Sequence, residues 1–184
     1  MRTNMNRKGI SNVVATIILI AVAIALAVAV AVWVFGLAGS ASKTATLQVQ
    51  AVGLNNTAAL SKATSNNPAD AYLTLLVSNP SSAAIGINGF TLGSLSCVFS
   101  QPISVPAGTQ GELLVIAISG YNGNFTGVDP QHSYVGTTTL QSFQSLQITA
   151  TCSGKQAAQV GVQYSGYITT VSGQTYPFTV TATS

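Results

Sequence analysis

The chain has 184 residues, of which 47% are hydrophobic and only 5% charged, with two cysteines and one histidine. A soluble domain ordinarily carries about 25% charged residues, so a surface this neutral suits a chain that associates with others or lies under glycan. Three of the basic residues, Arg2, Arg7 and Lys8, precede residue 10, and beyond them Lys43, Lys62 and Lys155 balance Asp70, Glu112 and Asp129. The basic pI therefore belongs to the N-terminus and gives no ground for a nucleic-acid interface.

The first element is Ile10 to Ser42, which contains no Asp, Glu, Lys, Arg or His, and in which Thr16 is the only polar side chain between Val13 and Leu37. It exceeds the ~20 apolar residues a helix needs to cross a bilayer. From Ala21 to Val32 small and branched residues alternate. Alternation ordinarily argues for a strand, but here both phases are apolar. A lone strand in lipid would also leave its backbone unpaired, whereas a helix pairs it internally. We read a helix of roughly 50 Å. On it Val22, Ile24, Leu26, Val28, Val30 and Val32 spread around the whole circumference with alanines between them. Such a helix sits in a membrane or is buried by other chains, and the alanines permit close helix approach. The apolar run is too long for a secretory signal peptide, and no clear A-x-A boundary follows it. Arg7 and Lys8 hold its start in the cytoplasm, so the residues after Ser42 face outward. Gly36 to Ser42 is small and Gly-containing, and reads as the helix end and a hinge.

From Lys43 onward the period becomes two. Thr44 to Ala51 alternates as a half-buried strand, Gly53 to Ala69 is a polar loop, and Ala71 to Val77 is a strand closed by Ser78-Asn79-Pro80. Strands follow over Ala84–Leu92 and Leu95–Phe99. Pro102 to Gly108 reads as a turn region, Glu112–Ser119 as the most apolar strand, and Gly120–Gly136 as a long loop. Ser142–Cys152 alternates with Leu146, Ile148, Ala150 and Cys152 inward, and the strands Gln156–Tyr164, Tyr167–Val171 and Tyr176–Thr181 complete the chain. Short strands rich in Val, Ile, Thr and Tyr indicate a β-sandwich with few or no helices. The fold expected is α+β: a long N-terminal hydrophobic helix over 10–42, then an all-β immunoglobulin-like sandwich over 43–184.

The junction Arg7-Lys8-Gly9-Ile10-Ser11 sets a short basic peptide ending in Gly directly against the apolar helix. With the β-rich remainder, this arrangement resembles the prepilins of archaeal type IV pilins and their archaellin relatives. The resemblance implies a leader, residues 1–9, removed by a membrane-embedded aspartyl prepilin peptidase that cuts between Gly9 and Ile10, with Arg7 and Lys8 in the recognised leader. It implies that the helix then packs with identical copies through Val22, Ile24, Leu26, Val28, Val30 and Val32 as the core of an extracellular adhesive filament. A pilus assembly ATPase and membrane platform would be the further partners, and the membrane the host before assembly. Val14 occupies the fifth mature position, where bacterial type IV pilins usually carry Glu. An archaellin of a motility filament, a membrane-anchored binding module with its helix uncleaved, and a small extracellular enzyme are the alternatives.

Cys97 and Cys152 both lie on the apolar phase of their strands. Export places them where thiols oxidise, so a disulfide is expected; two separate buried thiols are the alternative. Asn55-Asn56-Thr57 and Asn124-Phe125-Thr126 are N-glycosylation acceptors, whereas Asn79-Pro80-Ser81 is excluded by its proline. His132, in a loop, reads as a solvated polar residue. Asp70, Glu112 and Asp129 are far apart in sequence and show no paired-carboxylate signature. No catalytic residue, metal site, cofactor or nucleic-acid partner is therefore expected. Tyr121, Phe125, His132 and Tyr134 in the long loop read as an ordinary loop, with a contact surface as the alternative.

Overall fold

The structure is a computed structural model that describes residues 7–41, 46–137 and 143–184; of 7–10, 39–41, 137 and 143 the backbone alone is described. The leader residues 1–6, Ser42, Lys43 and the first two positions expected of the Thr44–Ala51 strand lie outside the described residues, as does Ser142. The chain divides into two compact units, Met1–Thr44 and Ala45–Ser184.

The first unit contains one helix, α1, Arg7–Ala41. It begins three residues before the expected start at Ile10, so the Gly9-Ile10 junction is helical. It also continues through Gly36–Ala41, where a hinge was expected. Glycine costs a helix only about 1 kcal/mol relative to Ala, which does not by itself end a long helix.

The second unit is a β-sandwich of two antiparallel sheets. The first sheet contains β1 (Gln48–Asn55), β2 (Ala69–Asn79), β5 (Thr109–Tyr121), β6 (Asn124–Val128), β7 (Tyr134–Thr137), β8 (Phe143–Ser145) and β10 (Gln156–Ala157). Its order is β1-β2-β5; the far edge of β5 is then shared by β6, which continues to β10, and by β7, which continues to β8. The second sheet runs β12 (Thr175–Thr181), β11 (Gln163–Thr170), β3 (Ile85–Leu92), β4 (Leu95–Val105), β9 (Ala150–Ser153). A single helical turn, α2 (Ala59–Lys62), buries Leu60 under the first sheet's β5–β6 turn.

Alternation decides which side chains face inward. In β2, Ala71, Leu73, Leu75 and Val77 are buried while Asp70, Tyr72 and Thr74 face out, half-buried. Leu114, Ile116 and Ile118 of β5 join them, and Ile87, Phe90, Leu92, Leu95, Phe99, Ile168 and Phe178 close the core from the other sheet. Phe125, expected in a loop, is wholly buried and meets Tyr164 edge-on at 5.8 Å between ring centroids. The chain end closes one side of the sandwich. Thr183 N–H donates to the Leu54 carbonyl (2.7 Å) and Thr57 N–H to the Thr183 carbonyl (3.0 Å).

Four expected boundaries are corrected. The strand expected over Thr44–Ala51 starts at Gln48 and runs on to Asn55. The long loop Gly120–Gly136 contains a hairpin: Asn122 (φ 51°) and Gly123 (φ 71°) form a two-residue turn between β5 and β6. Positive φ at both central positions is what a type I′ turn demands, and Asn-Gly supplies it with least strain. The turn expected over Pro102–Gly108 occupies only its second half, residues 106–108 with Gly108 at φ 73°, whereas Pro102–Val105 belong to β4, where the ladder is dislocated. Ile103 pairs with Ile87 and Val98 with Gly89, so Phe99–Pro102 have only Asn88 opposite them. Pro102, which has no N–H to offer, falls where β4 makes no ladder bond to β3. The Ser142–Cys152 strand is two, β8 and β9, although Leu146, Ile148, Ala150 and Cys152 share the expected inward, half-buried side.

The buried side chain Asn79 explains the Asn-Pro-Ser triplet. Its Nδ2 donates to the carbonyls of Ala83 (2.8 Å), Val105 (3.1 Å) and Pro106 (3.1 Å), and its Oδ1 accepts from Ser81 N–H (3.1 Å) and Oγ–H (2.6 Å). It thus joins the β2–β3 and β4–β5 connections at one end of the sandwich. Asn79→Ala leaves those carbonyls without their donor and is expected to destabilise the β-sandwich by about 1–3 kcal/mol. Thermal unfolding of the full chain in detergent, followed by the β-sheet circular dichroism signal, measures it. An unchanged melting curve contradicts a structural role for Asn79.

Candidate functional site

The surface of α1 is continuously apolar. Every side chain from Ser11 to Ala38 is exposed. The same stretch is long and apolar enough to cross a membrane. Val22, Ile24, Leu26, Val28, Val30 and Val32 are all among the exposed hydrophobics, as are Trp33 and Phe35 near the C-terminal end. Thr16 does not interrupt this surface, because its Oγ–H is shared between the carbonyls of Asn12 (2.8 Å) and Val13 (2.9 Å) one turn back. Its hydroxyl is therefore satisfied without any partner outside the helix. The helix offers a groove between its own side chains, lined by Ala15, Ile18, Leu19, Val22, Ala23 and Leu26. Small alanines beside branched residues give the knobs and gaps that close helix packing uses.

Cys97 and Cys152 form the expected disulfide. They stand directly opposite one another in the β4–β9 ladder, with their Cα atoms 4.1 Å apart. Cys97 is buried and Cys152 half-buried, so the bond pins the short edge strand β9 to its neighbour.

The two glycosylation acceptors sit differently. Asn55 is exposed at the end of β1, where its Oδ1 accepts a bond from Thr183 Oγ–H (2.7 Å). Thr57, the third residue of that triplet, is buried, and its hydroxyl has no partner among the described residues. Asn124 is half-buried beside the β5–β6 turn, and its Nδ2 donates to the Asn122 carbonyl (3.0 Å).

One constellation was not visible in sequence. Asp70 on β2 and Asp129 and His132 on the β6–β7 loop meet on the solvent side of the first sheet. His132 Nδ1 lies 2.9 Å from Asp129 Oδ2 and 3.2 Å from Asp70 Oδ2. The expectation of scattered, unpaired acids is corrected for these two, and His132, though exposed, is not a purely solvated side chain. The contact arises because β6 and β7 both pair with β5. The chain between them, residues 129–133, is folded back over the middle of that strand, next to β2. Burial, then the neighbouring Asp129 charge, raises the Asp70 carboxyl above its ordinary value. Burial also acts to raise Asp129, but hydrogen bonds from His132 and from Gln131 N–H outweigh it and hold that carboxyl below. The hydrogen bond to Asp129, and then that residue's charge, raises His132.

The hydroxyl fixed beside the cluster, Ser133 Oγ, donates to the Asp129 carbonyl (2.9 Å) and accepts from Ala117 N–H (3.1 Å), so it is spent on the backbone. The geometry is that of one imidazole nitrogen resting between two carboxyl oxygens. Glu112, also raised by burial, lies at the other end of β5, beside Val77 and Val135. Tyr121 packs under Lys155, whose Nζ is 5.7 Å from the ring centroid.

The chain matches no protein-family model and no curated protein.

The Thr57 hydroxyl gives a test that separates packing from modification. Thr57→Val keeps the side-chain shape, removes an unpaired buried hydroxyl and destroys the Asn55 acceptor. Unfolding midpoints should rise, by about 1 kcal/mol of stability. The intact mass from the native host should fall by a whole glycan if Asn55 is occupied. A destabilised variant would mean that the hydroxyl has a partner after all.

Proposed function

We propose that this chain is the structural subunit of a cell-surface filament of the archaeal type IV pilin kind, polymerising through α1 and serving surface adhesion. The observation that carries the reading is the pairing of a helix with no polar side with a β-sandwich that has its own complete core. Before assembly the helix lies in the membrane with Arg7 and Lys8 on the cytoplasmic side. A prepilin peptidase then cuts between Gly9 and Ile10. The freed helix is lifted by an assembly ATPase and its membrane platform into a bundle of identical helices. Lipid and bundle interior are equally apolar, so little desolvation opposes the transfer, and alanine-mediated packing selects the final arrangement. A head-to-tail contact repeated without closure gives a filament. The β-sandwiches form its outer sheath, and Asn55 and Asn124 are the positions at which N-linked glycan would cover it.

A second reading keeps the helix uncleaved as the anchor of a surface binding module. It is favoured by one observation, that the Gly9-Ile10 bond lies within a helical turn of α1. A peptidase acting there must first unwind that turn.

The N-terminal residue of the protein recovered from cell surfaces decides between the two. Ile10 is expected as the first residue on the filament reading, and Met1 or an adjacent leader residue on the anchor reading. Val28→Asp should leave the β-sandwich folded and disulfide-bonded but abolish filaments in electron micrographs, because a carboxylate at the helix centre costs about 2.5–3.5 kcal/mol in an apolar surround. Filaments of normal abundance from this variant would exclude a helix-bundle core.

A further inference from the structure

We propose that Asp70, Asp129 and His132 form a pH-dependent clasp that holds the β6–β7 loop against strand β2, closed while His132 is protonated and released when it is neutral. The inference is independent of what α1 does.

The argument begins with how the loop is held. Its two ends are fixed by groups that do not titrate. Asp129 N–H donates to the Ala117 carbonyl (2.8 Å), and Ser133 Oγ bridges the Asp129 carbonyl and Ala117 N–H. Both attachments are to β5. Between them stand Pro130, Gln131 and His132. Within this tip Gln131 N–H bonds only to the loop's own Asp129 (2.8 Å). The contact from the tip to a strand is His132 Nδ1 on Asp70, and Asp70 belongs to β2, on the opposite side of β5. The imidazole thus reaches across one strand to the next.

The charge state sets the strength of that reach. With His132 protonated, one cation faces two carboxylates whose oxygens, with Nδ1, all lie within 4.8 Å of one another. With His132 neutral, the same space contains two anions and no cation. One Nδ1–H bond survives, but the repulsion between Asp70 and Asp129 is no longer offset. The titratable groups facing this point are Asp70 and Tyr72 from β2, Asp129 and His132 from the loop, and Tyr134 from β7; the β5 residues beneath, Ala117 and Ser119, do not ionise. Burial and then Asp70 raise the Tyr72 phenol above its ordinary value, so it takes no part near neutrality.

The signs agree. A group raised on closure contributes to the closed state below its free pKa and loses that contribution as pH rises through its raised value. His132 is such a group, and so is Asp70. Asp129 is held low, so its contribution is present above the ordinary carboxylate range, near 4, and is lost as pH falls through its lowered value. The clasp is therefore tightest in mildly acidic solution and loosens on the alkaline side of His132.

His132 is the only histidine in the chain, so ¹³C-histidine labelling of the full-length protein in detergent micelles gives one imidazole signal to follow against pH, with EDTA present to remove stray metal. We expect a midpoint above the free-histidine value of about 6.5. Amide protection at Gln131, whose N–H bonds Asp129 Oδ1, should fall with the same midpoint, by about tenfold for each pH unit that separates the midpoint from the free value. Asp70→Asn should lower the midpoint and uncouple the two signals, and His132→Gln should make loop protection independent of pH between 5 and 9. Loop protection that ignores the His132 titration overturns the clasp, as does a midpoint that Asp70→Asn leaves unmoved.

Discussion

An apolar surface that runs the whole way round a helix cannot end its life facing water. Between Ala21 and Val32 of α1 the branched residues fall at every second position with alanines between them, so that they spread around the helix and leave no polar face. The one hydroxyl in the run, Thr16, is turned onto the helix's own carbonyls. What surrounds such a helix is then a matter of fit rather than of hydrophobicity, because lipid tails and neighbouring helices are equally apolar. The alanines between the branched residues are the feature that favours helices, since they let two backbones approach. Val14, in place of an acid, also means that no buried charge pair at this position can set the register between copies. Register on the proposed reading has to come from shape.

The β-sandwich is under the opposite constraint: it must stand by itself in water with almost no charge. Strand β5 is its keel. It pairs with β2 along nearly its whole length, and on its other edge with β7 and then β6. Splitting one edge between two partners forces the chain out and back between them. That excursion carries Asp129 and His132 over β5 to meet Asp70. The cluster is therefore a consequence of topology, and the residues in it are 59 to 62 positions from Asp70 along the chain.

This explains which parts were legible in the sequence. Period-two patterning located β2, β3 and the centre of β5, because their inward positions are almost uniformly apolar. The disulfide was legible because both cysteines share the phase of buried neighbours on strands. The Asn122-Gly123 turn left a signal that went unread: a positive-φ pair flanked by short alternating segments, hidden inside a stretch that looked polar overall. Pro102 misled in an instructive way. It marks a real interruption of the ladder, but the strand continues past it, since β4 turns to β9 there, with Ser100 N–H bonding the Thr149 carbonyl (2.8 Å). The Asp70–Asp129–His132 contact left no local trace, because no spacing or periodicity records which strands will be neighbours. Glycines at 36 and 39 were misread as an ending. Two glycines each cost a helix only about 1 kcal/mol against Ala, too little by itself to stop one that is already long.

Low charge also bears on how the sheet edges are protected. Soluble β proteins commonly place lysine on edge strands to prevent edge-to-edge pairing. None of β3, β4, β9, β11 or β12 contains a single charged residue, so that device is missing from the whole second sheet. Other devices replace it. Edge strand β9 is only four residues long and is held by the disulfide. At the opposite edge, the chain leaving β12 crosses to the other sheet and bonds Leu54 and Thr57. In the first sheet, β1 is broken by a bulge in which Val52 has no opposite number. Each of these shortens or kinks the exposed backbone without adding charge. On the proposed filament reading, where the chain lies close to many copies of itself, neutral faces avoid like-charge repulsion, while short and irregular edges keep that proximity from becoming continuous β pairing between copies. On that reading the sandwich can be crowded without being polymerised through its strands, and assembly is left to the helix.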